Sequence, residues 1–407
     1  MTRQKYVFLI FILGSLTALG PFSIDMYLPG FPVIADYMHT STASVALSLS
    51  SFFIGISVGQ LLYGPLLDRF GRKKPLYAGL LVYILASFAC AFTTSIDGLI
   101  AMRFIQAIGS CAAGVASMAM VRDLFPIQDI PKVFAQLMLV IALSPMLAPT
   151  IGSYVIAAWG WQSVFIVLMG MGVAILLAAR FLLPSAYEPD TTLSLKPAAI
   201  LSNFGKVLRE PQFYTYALTG AVAFSGLFTY VAGSPMVFMD IFGLSEEKYG
   251  WVFASLSVSF IGSSQINSLL LRRFTSQQLV QVALSCQAII GIAFLVAAIS
   301  GWLTLPITLM FLAVYLSCLG FTNPNTAGLA LAPFARNAGS ASAVMGATQM
   351  GFGALASLVI GMFEAKSIVP MVTLMACSSA LALTILTLGK RNIKHAITSD
   401  ADIVPVH

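Results

Sequence analysis

The chain has 407 residues, of which 58% are hydrophobic and only 9% are charged, and its formal net charge is +6. Soluble proteins carry about 25% charged residues, so one aqueous core could not bury this much apolar surface. The composition excludes an ordinary soluble globular protein and predicts an all-α integral membrane protein with the lipid bilayer as its solvent.

Twelve apolar runs are each long enough to cross a bilayer as a helix. In the first half these predicted spans cover residues 5–28, 43–66, 75–94, 97–120, 132–157 and 160–183. In the second half they cover residues 213–237, 247–271, 277–299, 303–327, 338–362 and 367–389. The first run follows Arg3 and Lys5 like a signal peptide, but it lacks a convincing cleavage site, so we predict an uncleaved helix.

The longest polar connection divides six spans from six. A short internal echo supports two related halves, because LLDRFGRKKPL follows span 2 and LLLRRFTSQQL follows span 8. We therefore predict an N-terminal six-helix bundle (1–183), a cytoplasmic linker (184–212), a C-terminal six-helix bundle (213–389) and a cytoplasmic tail (390–407).

The lysines and arginines predict the orientation of the chain. With the N-terminus inside, 18 of the 21 basic residues lie on the cytoplasmic side; Lys248 and Lys366 lie outside, and Arg103 lies within a span. The positive charge therefore indicates the orientation of the chain in the membrane rather than binding to nucleic acid. We predict a multi-pass protein of the bacterial inner (cytoplasmic) membrane with both termini in the cytoplasm.

Metal, disulfide and enzyme chemistry are not indicated by the sequence. Its cysteines lie inside apolar runs without ligand spacing, which is typical of small core residues. They are Cys90, Cys111, Cys286, Cys318 and Cys377. The three histidines, His39, His395 and His407, lie outside the spans, so no catalytic histidine or metal set can form within the membrane. We predict no enzymatic activity, no metal and no cofactor.

Four stretches carry a family resemblance: DMYLPGFP (25–32), GPLLDRFGRKKP (64–75), RFIQAIG (103–109) and LSPMLAPTIGS (143–153). They resemble motifs of the major facilitator superfamily. Together with NPNTAGLALAPFARNAGSASAVMGA (323–347), they are most similar to the bicyclomycin/chloramphenicol-resistance (Bcr/CflA) branch of the twelve-helix drug:proton antiporters. The resemblance implies a major facilitator fold of 12 transmembrane helices in two six-helix bundles, with alternating access.

The loop between spans 2 and 3 combines a tight turn with dense charge. Its glycines allow helices to approach closely and permit unusual backbone conformations. Asp68 is expected to face either the N-terminus of span 11 near Ser340 or Arg122, as a latch on the cytoplasmic side. The alternative is a topology anchor alone. The motif comprises Gly64, Asp68, Arg69, Gly71, Arg72 and Lys73.

Span 5 contains Pro145 and Pro149 on one face, with Gly152 three residues further on. Each proline removes an intrahelical hydrogen bond, so we expect a bent helix whose small residues pack against a neighbour. The resemblance implies a hinge and a seal between the halves. The alternative is a kink without a mechanistic role.

Arg103 is the basic residue that we place within the membrane, and Asp25 is the carboxylate that we assign to the first span. Arg103 lies about 9 Å below the outer boundary, where it could extend to the interface, but Gln106 at helical spacing favours an inward polar patch. Asp25 could be an exposed helix terminator. The resemblance instead implies proton or substrate handling, so we predict Asp25 and Arg103 as a proton-coupling pair.

The spans of the second half contain amides, aromatics and methionines but no ionisable group firmly inside, which favours an apolar or weakly polar organic substrate. Candidate substrate contacts are Tyr27, Gln106, Phe228, Tyr230, Asn323, Asn325 and Gln349. The predicted function is proton-coupled export of amphipathic drugs; the alternative is export of a metabolite such as an amino acid derivative or a nucleoside. The expected partners are a small organic substrate, protons and lipid, with no nucleic acid, around a monomeric protein.

Overall fold

The computed structural model describes residues 3–126, 129–184, 189, 197–334, 338–363 and 367–393, and no strand occurs among them. The helices of the first half are α1 (Arg3–Asp25), α2 (Phe31–Tyr37), α3 (Thr42–Phe70), α4 (Lys73–Phe92), α5 (Ile96–Leu124), α6 (Ile130–Trp159) and α7 (Gln162–Leu182). Those of the second half are α8 (Pro197–Leu208), α9 (Pro211–Pro235), α10 (Glu246–Leu270), α11 (Ser276–Ile299), α12 (Leu305–Leu331), α13 (Ala338–Ile360) and α14 (Val369–Gly389). The predicted all-α fold is confirmed.

The helix lengths agree with a multi-pass membrane protein. Within the described ranges, 11 helical segments are long and apolar enough to cross a bilayer, and they match eleven of the twelve predicted spans. The predicted eighth span is α10, whose 25 residues suffice to cross about 30 Å of hydrocarbon. Its hydropathy is lower because it carries several serines together with Gln265 and Asn267.

Two helices were not predicted as separate elements. The first span breaks after Asp25, continues as a 3-10 turn (Leu28–Gly30) and resumes as α2. The amphipathic helix α8 lies in the predicted linker and is too short to span a bilayer. Much of that linker, residues 185–188 and 190–196, and the tail from residue 394 lie outside the described residues.

The chain divides into two compact units. Unit 1 comprises Met1–Leu195 together with Ser234–Ser255, and unit 2 comprises Lys196–Gly233 together with Leu256–His407. The segment Ser234–Ser255 contains the end of α9, a π-helical turn (Met236–Ile241) and the start of α10. It therefore packs with the helices of the first half, and the predicted bundle boundaries stay a prediction.

In unit 1, α5 packs most extensively against α3 and α4. Small residues make this possible: a Cβ on Gly55 of α3 would lie 2.6 Å from the Cβ of Ala107, and one on Gly109 of α5 would lie 2.5 Å from the Tyr83 nitrogen of α4. Such close backbone approach is typical of helix packing in lipid. It brings the polar side chains of α5 against both neighbouring helices.

Tryptophans mark the ends of several helices. Trp159, Trp251 and Trp302 are 75%, 61% and 70% exposed, respectively, and each lies at a predicted outer end of a span. Tryptophan is enriched where a membrane meets water, because its ring is apolar and its N–H is polar. Their positions agree with the predicted span limits.

Candidate functional site

A buried polar network in unit 1 is organised around Arg103, whose side chain has no exposed surface. Its Nη1 donates to Oε1 of Gln106 at 2.6 Å, and its Nη2 donates to the carbonyl oxygen of Ser23 at 2.8 Å. Gln106 Nε2 in turn donates to Oγ of Ser87 at 2.7 Å. The network joins α1, α5 and α4, and the alternative in which Arg103 extends to the membrane interface is wrong.

Aromatic rings enclose the same guanidinium. Arg103 Cζ lies 4.3 Å from the ring centroid of Tyr27, 4.1 Å from that of Phe52 and 5.8 Å from that of Phe165. A cation over a desolvated ring gains about 2 kcal/mol. These contacts compensate part of the cost of burying a charge, and they place Tyr27, a predicted substrate contact, directly on Arg103.

Asp25 lies at the last residue of α1 and is only 5% exposed, so it is not an exposed helix terminator. Within the part of the chain that the structure describes, its carboxylate makes no hydrogen bond or ion pair. Arg103 donates to Ser23 and Gln106 instead. Arg103 and Asp25 are therefore not bonded to each other in this structure, and their predicted joint role in proton coupling stays a prediction.

The break in helix 1 beside Asp25 is held by α6. A Cβ on Gly152 would overlap the backbone oxygen of Met26, so no side chain fits between the two helices there. Pro145 and Pro149 lie within the same continuous helix, about two turns and one turn before Gly152, respectively. The hinge that the resemblance implies for these residues stays a prediction.

Gly152→Ala should therefore destabilise the protein. The added methyl group would meet backbone rather than a mobile side chain, and overpacking of this kind costs about 1–3 kcal/mol or more. Gly170→Ala in α7 is the matched control, because nothing lies within 4 Å of a Cβ there. The thermal unfolding midpoint of the purified protein should fall for Gly152→Ala only; equal midpoints would contradict the close contact.

The charged loop after α3 is joined to the end of α5. Arg72 Nη1 donates to Oδ1 of Asp68 at 2.5 Å, and its Nε donates to Oδ2 of Asp123 at 2.7 Å. Within unit 1, the partner of Asp68 is thus Arg72 and not the predicted Arg122. Asp123 is a residue that the sequence reasoning missed. The latch near Ser340 stays a prediction.

The other loop residues differ in their roles. Gly71 has φ +81°, a backbone conformation that favours glycine. A Cβ placed on Gly64 would have no atom within 4 Å, so close approach of a neighbouring helix does not explain that glycine. The Arg69 guanidinium lies 5.9 Å from the Phe70 ring centroid. Lys73 begins α4 and lines a cleft with Arg72.

The predicted amides of unit 2 form two pairs. Asn325 Nδ2 donates to Oδ1 of Asn267 at 2.6 Å, and Gln349 Nε2 donates to Oδ1 of Asn323 at 3.1 Å. Asn323 and Gln349 line a cavity of about 20 Å³ with Tyr216 and other residues of α9, α12 and α13. That volume holds roughly one water molecule and is far too small for a drug.

The two predicted aromatic contacts of unit 2 are buried by packing. Phe228 and Tyr230 of α9 are 5% and 2% exposed. A Cβ on Gly353 of α13 would overlap the Phe228 ring, so this ring is held against the neighbouring helix. In this structure both side chains are buried, and a substrate role for them stays a prediction.

Several members of the Arg103 network were not predicted. Ser23 Oγ and the Tyr83 hydroxyl lie 2.8 Å apart, and Ser87 Oγ donates to the carbonyl oxygen of Tyr83. Two signals in the sequence could have found them: Ser23 lies two residues before Asp25, and Tyr83 and Ser87 share one face of α4 at a spacing of four.

Ionisable groups buried inside a polytopic helical protein are typical of membrane transport proteins. The protein-family model described as Major Facilitator Superfamily matches residues 13–359 of the chain. The chain belongs to that family, as its motifs predicted.

Relatives and solved structures agree with this assignment. The chain is 32% identical over 382 residues to the uncharacterized MFS-type transporter YdgK of Bacillus subtilis, covering 93% of this chain and 94% of the relative. It is 29% identical to a bicyclomycin resistance protein homolog of Haemophilus influenzae, and the match covers 97% of this chain and 99% of the relative. The fold resembles the crystal structure of a D-xylose-proton symporter, with a TM-score of 0.73 at 17% sequence identity. The superposition covers 94% of this chain and 97% of the symporter chain.

Proposed function

We propose that this protein exports amphipathic organic compounds from the cell in exchange for protons, by alternating access of a site within the membrane. The observation that carries the proposal is the Asp25 carboxylate, which is buried within a helical transporter and lacks a hydrogen-bond or ion-pair partner among the described residues. A proton-driven carrier needs a group that takes up and releases a proton as its surroundings change.

The energetics of Asp25 suit that role. An ionised carboxylate buried without a partner costs several kcal/mol, so in this arrangement it is most stable with a proton bound. Water reaching the group in another state of the transport cycle would remove that cost and let the proton leave. Burial and hydration of one residue thus provide the switch that proton exchange requires.

Arg103 has a different role in this proposal. Because its guanidinium is bound to the Ser23 carbonyl and to Gln106, it holds α1 against α5 just before the Asp25 break. It also keeps a fixed positive charge among aromatic rings. We assign Arg103 to positioning the end of α1 and Asp25 to carrying the proton.

The substrate class follows from the chemistry of the membrane-spanning helices and from the relatives. A relative named for bicyclomycin resistance covers nearly the whole chain. The amide pairs and aromatic residues of unit 2 are suited to apolar or weakly polar compounds. Asn323 and Gln349, which line a small cavity, are the residues of unit 2 that we assign to substrate binding.

A drug-susceptibility panel tests the substrate class. Expression in an efflux-deficient bacterium should raise the inhibitory concentration of chloramphenicol, florfenicol, bicyclomycin or a cationic dye, and Asp25→Asn at equal expression should abolish the increase. Unchanged inhibitory concentrations for all of these compounds would contradict drug export and favour export of a metabolite.

We further assign the protein to the bacterial cytoplasmic membrane, as a monomer with both termini in the cytoplasm. The two ends of α10 provide a matched test of orientation. In a functional cysteine-free variant, Glu247→Cys should react with an impermeant thiol reagent added to intact cells, whereas Arg272→Cys should react only after the cells are opened. Both positions are exposed, so accessibility from one side is the variable measured. The reverse pattern would contradict the assigned orientation.

A further inference from the structure

The amphipathic helix α8 lies beside the beginning of a membrane span. It ends at Leu208, and α9 begins at Pro211. The segment Pro211–Ile241 is long and apolar enough to cross a bilayer. Three steps between successive Cα atoms reach about 11 Å at most, so the end of α8 stays close to the membrane surface.

Hydrogen bonds show that several helices of unit 2 share this end. Gln212 Nε2, in the first turn of α9, donates to the carbonyl oxygen of Leu329 near the end of α12 at 2.8 Å. Asn392 Nδ2, after α14, donates to the Tyr214 hydroxyl of α9 at 3.3 Å. The helix α8 also packs against α13. It therefore belongs to the end of unit 2 at which these spans meet the membrane surface.

One face of α8 is apolar and exposed. Leu201, Phe204 and Leu208 are three and four residues apart, so they lie on one side of the helix, here called the leucine face. Leu201 is 66% exposed and Leu208 is 51% exposed. Val207, on the neighbouring flank, is only 2% exposed, so that flank is packed on the protein. Within the described part of the chain, the two leucines are thus left uncovered.

The opposite side of α8 is polar and basic. Ser202, Asn203 and Lys206 are exposed there, and the exposed Arg209 follows the last turn. Neither Lys206 nor Arg209 makes an ion pair among the described residues. The neighbouring acidic residue, Glu210, is half-buried. The two cations are therefore available to an anionic partner.

Further exposed basic residues lie at the same end of unit 2. Lys390 Nζ, after α14, donates to Oε1 of Gln281 in α11 at 2.9 Å, which places the loop before α11 at this end too. The exposed cations of this loop and of the residues after α14 are Arg272, Arg273 and Arg391. The charge of this end is complementary to that of anionic phospholipids.

We propose that α8 docks on the membrane surface at the start of α9, with Leu201 and Leu208 inserted among the lipids and Lys206 and Arg209 bound to the phosphates of anionic phospholipids. An amphipathic helix with leucines on one side and basic residues beside them lies along such a surface, its apolar side at the boundary of headgroups and acyl chains. The long stems of Lys206 and Arg209 let their charges reach the headgroups. This interaction is independent of the proton role of Asp25 and of the exported compound.

Spin labels on the full chain in lipid vesicles test the docking. In a cysteine-free variant, labels on Leu201→Cys and Leu208→Cys should collide more often with oxygen, which concentrates in the acyl chains, than with a water-soluble nickel chelate. Labels on Ser202→Cys and Asn203→Cys are the matched controls and should show the reverse. If Leu201→Cys does not fold, Leu208→Cys provides the same comparison.

The charge of the vesicles tests the anionic part. Each basic residue at an anionic surface is worth about a fivefold change in an equilibrium constant. The ratio of docked to undocked α8, from the two components of the spin-label spectrum, should therefore fall up to about 25-fold in phosphatidylglycerol vesicles when Lys206→Gln and Arg209→Gln are combined. Wild-type protein in phosphatidylcholine should show a similar fall. Arg272→Gln with Arg273→Gln, matched in charge but outside α8, should leave the ratio unchanged.

Three results would overturn the proposal. Equal access of the nickel chelate to labels at Leu201 and Ser202 would show that the leucine face is in water. Protection of the Leu201 label from both reagents would show that protein, a second copy or another partner, covers that face. Equal docking in the two lipids would show that anionic headgroups are not recognised.

Discussion

Asp25→Asn should abolish drug accumulation driven by a pH gradient while leaving exchange of substrate for substrate intact. Asparagine has nearly the shape of a protonated aspartic acid, and an amide is less costly to bury than a carboxylate, so the variant should fold. Each pH unit can sustain about a tenfold concentration ratio per proton exchanged. In vesicles carrying the variant, that ratio should fall to about one.

Asp36→Asn is the matched control, because Asp36 lies eleven residues further along the same segment and is exposed. It should accumulate drug as the wild type does. Radiolabelled chloramphenicol in everted vesicles measures both reactions, with a pH gradient for accumulation and with unlabelled drug inside for exchange. Accumulation at the native rate by Asp25→Asn would leave Asp25 with a structural role only.

Arg103→Ala should cause a large loss of folded protein as well as of transport. The substitution leaves the Ser23 carbonyl and the Gln106 side-chain oxygen without their donor, at about 1–3 kcal/mol for each buried group. It also removes the cation from between the Tyr27 and Phe52 rings. The thermal unfolding midpoint in detergent and the yield of monodisperse protein measure this loss.

Arg103→Lys separates the charge from the geometry. Lysine keeps the positive charge but lacks the planar fork that reaches two acceptors at once, so we expect partial stability and strongly reduced transport. Arg180→Ala at the exposed end of α7 is the control and should behave like the wild type. Full transport by Arg103→Lys would show that charge alone suffices at this position.

The elements of the fold could be predicted from hydropathy because membrane helices must be long and apolar. The same reasoning identified Asp25 and Arg103, since an ionisable residue is rare in such a run. It did not predict the Ser23 carbonyl oxygen as a partner of Arg103. Both residues lie toward the predicted outer ends of their helices, but the partner of a guanidinium depends on side-chain direction. Arg103 donates to the Ser23 carbonyl, a backbone group that no residue pattern marks.

The sequence also did not predict which residues far apart in the chain are bonded to each other. Asp68 pairs with Arg72 across the turn at Gly71, between α3 and α4, whereas the additional pairing of Arg72 with Asp123 depends on how α5 packs. The grouping of Ser234–Ser255 with unit 1 was hidden for the same reason. A hydropathy profile gives the limits of spans, but it contains no information about which faces meet.

Drug-driven proton movement in proteoliposomes tests the central claim most directly. Purified wild-type protein is reconstituted with a pH-sensitive dye inside, no pH gradient is imposed, and chloramphenicol or another compound active in the susceptibility panel is added outside. We predict that entry of the drug drives protons out, so the interior becomes alkaline, and that Asp25→Asn abolishes this change while Asp36→Asn preserves it. Drug entry without any proton movement in the wild-type protein would contradict the account.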